Sequence, residues 1–106
     1  MRPLLIIIAL AVFGGYPSAG IDSREAGRLA NSYSFCVLHI GCGGVGAPVL
    51  RGEHWEVPVF EGIAVNPRVH YPCIHIDRSS GVISYSNHGI VYPTLTRKQL
   101  AQRQYD

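Results

Sequence analysis

Three regimes of hydrophobic spacing divide the chain. Leu4 to Phe13 is an unbroken apolar run of ten residues. From Ala26 the apolar positions fall at Leu29, Ala30 and Tyr33, the three-and-four spacing of an amphipathic helix. From Arg51 onward the period drops to two, the spacing of strands. Each change of period is bounded by residues that turn or cap the backbone, so the chain reads as a leader, a helix and a set of short strands.

The helix has a well-marked start. Asp22 suits the N-cap and Glu25 stands three residues on, as in a capping box, while Ile21 is placed to staple against Ala26. Arg24, Arg28 and Asn31 take the outward positions. The helix is expected to fade near Ser34, with Phe35 to Leu38 open to helix or strand. Residues 41–48 hold four glycines and Pro48, which makes a regular element there improbable.

In the strand region Trp55, Val57 and Val59 share one face, which predicts a strand over 54–61. Pro58 lacks an amide proton and points to an edge position or a bulge. Residues 62–68 read as a connection. Val69 to Asp77 predicts a second strand, weakened in its first half by Pro72. Residues 77–81 (DRSSG) form a hairpin loop into Val82 to Tyr85, and Asn87-His88-Gly89 makes a further turn before a short strand over 90–92. Thr96-Arg97-Lys98-Gln99 repeats the N-cap pattern and starts a short C-terminal helix. The expected fold is α+β, with the first helix packed on one face of a small antiparallel sheet of three to four strands.

The amino terminus carries one cation, Arg2, then the apolar run, then Gly14, Gly15, Pro17 and the small residues Ser18-Ala19-Gly20. That order is the one a secretory signal shows. Ten apolar residues fall short of the roughly 20 that a membrane span requires. Residues 1–20 are therefore expected to be a cleaved signal peptide and residues 21–106 a single exported domain, periplasmic or secreted, with no stable span after cleavage.

Removing residues 1–20 from 106 leaves 86, and removing Arg2 from the nine basic residues leaves eight against seven acidic ones. A net charge of +1 with scattered basic side chains lacks the basic stripe that nucleic-acid binding needs. A domain of this size buries a modest core, so cross-links would help it.

The stretch Trp55-Glu56-Val57-Pro58-Val59 followed by residues 74–83 (IHIDRSSGVI) resembles the hairpin of PepSY-like domains and of small NTF2-fold immunity-type proteins. Residues 25–33 are similar to their opening helix, and the likeness covers about half of residues 21–106. The three cysteines and the Gly-rich loop at 41–46 depart from the pattern. The resemblance implies an inhibitory or binding module and carries no catalytic residues.

Cys36, Cys42 and Cys73 all follow the leader, and export would place them where disulfides persist. One bridge and one leftover thiol is the simplest count, with three pairings open. A long-range bridge from Cys73 to Cys36 or Cys42 is preferred, since closing a loop of roughly 30 residues contributes about 3 kcal/mol. A leftover thiol would offer a route to a homodimer. The competing chemistry is zinc held by Cys36, His39, Cys42, Cys73 and His75, which are suitable donors without an established zinc spacing.

A Cys–His nucleophilic pair has five histidines to draw on but no defined constellation, and Glu56 reads as a solvated strand residue. Residues 41–46 (GCGGVG) match G-x-G-x-x-G, yet no helix follows to receive a pyrophosphate. No enzyme activity or cofactor is expected. The function expected is an exported protein-binding module, a periplasmic inhibitor or immunity-type protein covering another exported or envelope protein, with a thiol- or zinc-dependent protein as the alternative. Phe60, Tyr71 and Tyr92 are its candidate contact residues, because aromatics are enriched among interface hot spots.

Overall fold

Helix α1, Ser23–Tyr33, begins where the sequence places it. Asp22 adopts an extended N-cap conformation, and its Oδ1 accepts the Glu25 backbone N–H at 2.9 Å. The Glu25 carboxylate itself pairs with Arg28 at 2.7 Å. The structure is a computed structural model that describes residues 20–40, 44–60 and 70–104. Of the expected leader only Gly20 falls within this range, and Cys42, Val69 and the connection at 62–68 fall outside it.

The α1 stripe of Ala26, Leu29, Ala30 and Tyr33 is buried. The chain then continues into one π-helical turn, Ser34–Leu38, closed by His39 in the left-handed region at φ 60°. The ambiguity over Phe35 to Leu38 thus resolves as helix. Phe35 points to solvent, while Cys36, Val37 and Leu38 pack partly against the core.

Four antiparallel strands follow in the spatial order of the chain: β1 Val49–Arg51, β2 His54–Pro58, β3 Cys73–Asp77 and β4 Ile83–Ser84. Strands β5, Ser86–Asn87, and β6, Ile90–Val91, make a separate ribbon. Its two-residue turn uses His88 and Gly89, both at positive φ, as a type I′ turn requires. Helix α2, Arg97–Gln104, carries a reciprocal capping box: Thr96 Oγ1 accepts the Gln99 N–H and Gln99 Oε1 accepts the Thr96 N–H. The fold is α+β, as the spacing predicts.

α1 covers one face of the sheet. Val57, Val59, Ile74, Ile76 and Ile83 point into this core with Tyr85, Leu95 and Leu100, each aliphatic contributing roughly 1.5–3 kcal/mol on full burial. Ile21 ties the entry of the chain to the sheet. Its N–H donates to the Arg78 carbonyl at 2.8 Å, and its own carbonyl accepts Trp55 Nε1–H at 2.8 Å. The DRSSG loop is held by Asp77, whose Oδ2 accepts the Ser80 N–H and both serine hydroxyls.

Of the two positions open to Pro58, an edge or a bulge, the edge is corrected: the strand containing Pro58 is central, between β1 and β3, and β1 is the outer strand of the described sheet. Pro58 is accommodated because its neighbour is bulged. Val45 pairs with Val59 and Val49 pairs with Glu56, so four steps on the edge segment span three on β2. The extra residue lies across Gly46 to Pro48, next to the missing Pro58 donor. Gly46 makes the approach feasible: a Cβ there would lie 2.8 Å from both Phe60 Cζ and Pro58 Cγ. The last glycine of the G-x-G-x-x-G match therefore serves strand packing.

Candidate functional site

Strand alternation sorts the sheet's side chains into two sets. With Val57, Ile74 and Ile76 turned inward, His54 and Glu56 of β2 and Cys73, His75 and Asp77 of β3 share the face away from α1. Glu56 lies directly opposite His75, and Arg51 of β1 lies opposite His54. Glu56 is shared: its Oε1 accepts Arg51 Nε–H at 3.2 Å, and its Oε2 lies 3.2 Å from His54 Nε2. The His54 and His75 rings are 5.0 Å apart between centroids.

Burial alone would raise the Glu56 pKa, but the His54 hydrogen bond and the charges of His75 and Arg51 hold it below its ordinary value. Glu56 is thus an anchored carboxylate within a polar cluster and not the solvated residue expected from its place on the strand. Next to it, burial pushes the Cys73 thiol up and the Glu56 carboxylate adds to the shift. A thiol held protonated is a poor nucleophile. Its Sγ contacts the Tyr71 carbonyl at 3.5 Å.

The sequence's own metal set is dispersed. Cys36 packs on the core beneath the π-helical turn, His39 is exposed at its end, and Cys73 and His75 stand on the outer face of β3. Cys36 and Cys73 are both free thiols, so the Cys36–Cys73 bridge is not formed, and Cys42 lies outside the described residues. Among the described residues the donors that gather are His54, Glu56 and His75, whose ligand atoms all lie within 4.8 Å of one another. Two of these three are absent from the sequence-derived set. The alternation in His54-x-Glu56, set beside Cys73-x-His75, was the available signal. It needed the register of β2 on β3 to become a cluster.

The candidate aromatic contacts are partly engaged in packing. Phe60 and Tyr71 meet edge to face at 4.8 Å beyond the ends of β2 and β3, and Tyr92 stacks obliquely on Tyr85 at 5.3 Å. More exposed apolar surface lies on β1, where Val49 and Leu50 are 45% and 41% accessible, and on Phe35, Ile90 and Val91.

The two edges of the sheet differ. At β4, Ile83 exchanges both backbone hydrogen bonds with Leu95, which covers that side. At β1, Val49 and Arg51 face β2 in the alternating ladder, so the N–H and C=O of Leu50 point outward. The β1–β2 hairpin closes through Gly52-Glu53, with Gly52 at φ 64°. Such a two-residue turn with glycine first fits type II′.

A cavity of about 250 Å³ lies at the chain entry, between Ile21, Asp22, Glu25, Ser79 and Arg97. It falls below the roughly 300–1,000 Å³ of sites for drug-sized ligands. Three of its polar groups are engaged locally: Asp22 caps α1, Glu25 holds Arg28 and Ser79 donates to Asp77. No helix among the described residues is long and apolar enough to cross a membrane.

No model of a known protein family, no curated protein and no solved structure matches this chain, so the likeness of its hairpin to PepSY-like and NTF2-fold immunity-type domains rests on its residues alone.

Proposed function

We infer that this protein is an exported protein-binding module of the inhibitor or immunity type, which takes an extended segment of a partner protein as a further strand on β1. The observation that carries this reading is the asymmetry of the sheet. One edge is covered by Leu95, whereas at the other the backbone of Leu50, between exposed Val49 and Arg51, pairs with no further strand among the described residues. Strand addition draws affinity from main-chain hydrogen bonds and specificity from alternate side chains. Here Val49 would offer an apolar contact on the outer face and Leu50 one on the α1 side. Pro48 and the adjacent bulge limit pairing to this short register, the kind of device that protects an edge from indiscriminate association.

Leu50→Pro tests the reading cleanly. The Leu50 N–H faces away from β2, so proline removes the donor a partner strand needs while leaving the β1–β2 ladder intact. A photoreactive residue in place of Val49 is expected to give a discrete adduct with one exported or envelope protein, and the adduct should disappear when Leu50→Pro is added. An adduct with a second copy of this chain only, or an undiminished yield in the proline variant, would contradict strand addition by a partner.

A further inference from the structure

Beyond the protein-binding edge, we propose that His54, Glu56 and His75 form a binding site for a divalent transition-metal ion on the outer face of the sheet, with zinc the ion that the ligand chemistry fits most simply. Two imidazoles and one carboxylate are a recurrent donor set for such ions, and zinc takes both ligand types at about 2.0–2.2 Å.

Tetrahedral ligands at that distance stand roughly 3.3 Å apart. His54 Nε2 and Glu56 Oε2 are already 3.2 Å apart. His75 completes the set, with all three donor atoms within 4.8 Å of one another, so closing the site asks for side-chain rotation and no backbone movement. The backbone is fixed by the pairing of β2 with β3, in which Glu56 and His75 are direct partners and His54 is next along the same face. Strands hold such a constellation more tightly than loops do.

Arg51 has a defined place in this arrangement. Its Nε–H occupies Glu56 Oε1 and leaves Oε2 toward His54. It thereby orients the carboxylate as outer-shell partners of metal ligands commonly do. Cys73 shares the face, but its Sγ contacts the Tyr71 carbonyl at 3.5 Å and is not among the gathered donor atoms, so no thiolate is required by the site. Three protein ligands leave one tetrahedral position for water or for a side chain of another molecule. His75 is exposed and His54 half-buried, so an ion can enter from solvent.

Native mass spectrometry and calorimetric titration of the full chain with Zn²⁺ test the site, with Co²⁺ as a spectroscopic probe. One equivalent of metal should bind, and the Co²⁺ form should show visible ligand-field bands without a thiolate charge-transfer band. His54→Ala and His75→Ala should each weaken binding at least tenfold, Glu56→Gln should weaken it as well, and His88→Ala should leave it unchanged. Replacing Cys36, Cys42 and Cys73 together with serine should also leave it unchanged. Far-ultraviolet circular dichroism checks that each variant is folded, and the two histidine variants serve as independent probes if the glutamine variant is not. Absence of Zn²⁺ binding at 1:1, retention of full affinity in the His54→Ala,His75→Ala double variant, or loss of binding in the serine variant would each overturn the site. None of these outcomes bears on strand addition at β1.

Discussion

Tyr33 joins the core to the segment that covers the sheet edge, and its replacement by phenylalanine has an effect whose sign depends on pH. The ring is fully buried on the last turn of α1, and its hydroxyl donates to the Pro93 carbonyl at 2.6 Å. Phenylalanine keeps the packing and deletes this bond. Pro93 is itself exposed, so water can take over the carbonyl, and the cost near neutrality should be about 1 kcal/mol. For a domain of this size that corresponds to roughly 4–8 °C in Tm.

Burial also pushes the Tyr33 pKa up to about 12, against the opposing charge of Arg103. The unfolded chain ionises this phenol near 10 while the folded chain keeps it protonated, so the associated stability is complete below pH 10 and is lost as pH rises toward 12. At pH 11 the wild type should have lost about 1.4 kcal/mol through this group, and Tyr33→Phe nothing. The stability difference between the two proteins, from urea unfolding followed by circular dichroism, should fall from about 1 kcal/mol in favour of the wild type at pH 8 to about 0.4 kcal/mol in favour of the variant at pH 11. Subtracting the variant removes the contributions of the other tyrosines. A difference that stays constant across this range would refute the burial argument.

Three further substitutions probe the frame around the site. Asp77→Asn should flatten the acid limb of stability: hydrogen bonds from Ser80 and Ser79 hold the Asp77 carboxyl at about 2, so the wild type keeps this contribution above the ordinary aspartate range and loses it as pH falls through 2. Urea midpoints at pH 5 and pH 2.5 should therefore differ less in the variant than in the wild type. Gly46→Ala should destabilise by about 1–3 kcal/mol, because its Cβ would meet Phe60 and Pro58 at 2.8 Å; unchanged thermal unfolding would count against the bulge packing. Trp55→Phe removes the donor to the Ile21 carbonyl and part of a half-buried ring, for about 1–3 kcal/mol, with the amides of residues 21 and 22 exchanging faster.

Elements with their own local chemistry were legible in the sequence. Asp22 and Thr96 announce both helices, the spacing from Ala26 to Tyr33 gives the buried stripe, and the Asp77-to-Gly81 and His88-Gly89 turns mark two hairpins. Strand β1 was not legible, because three residues between Pro48 and the Gly52 turn carry too little alternation to read. Missing it left Pro58 open between an edge and a bulge, and the bulge, on the neighbouring segment, is what accommodates it. The outer-face cluster was half visible. The sequence associated His75 with Cys36, His39, Cys42 and Cys73 by ligand type, whereas register places it against Glu56 and His54. Donor chemistry is local information, but which donors meet depends on strand pairing between residues some 20 positions apart.

Amide hydrogen exchange at Leu50, compared between the free protein and its complex with the protein captured at position 49, tests strand addition most directly. The Leu50 amide should exchange rapidly in the free protein, because it points out from the open edge, and should become strongly protected when the partner is bound. A bound partner that leaves Leu50 exchange unchanged while protecting another face would contradict the proposed docking edge.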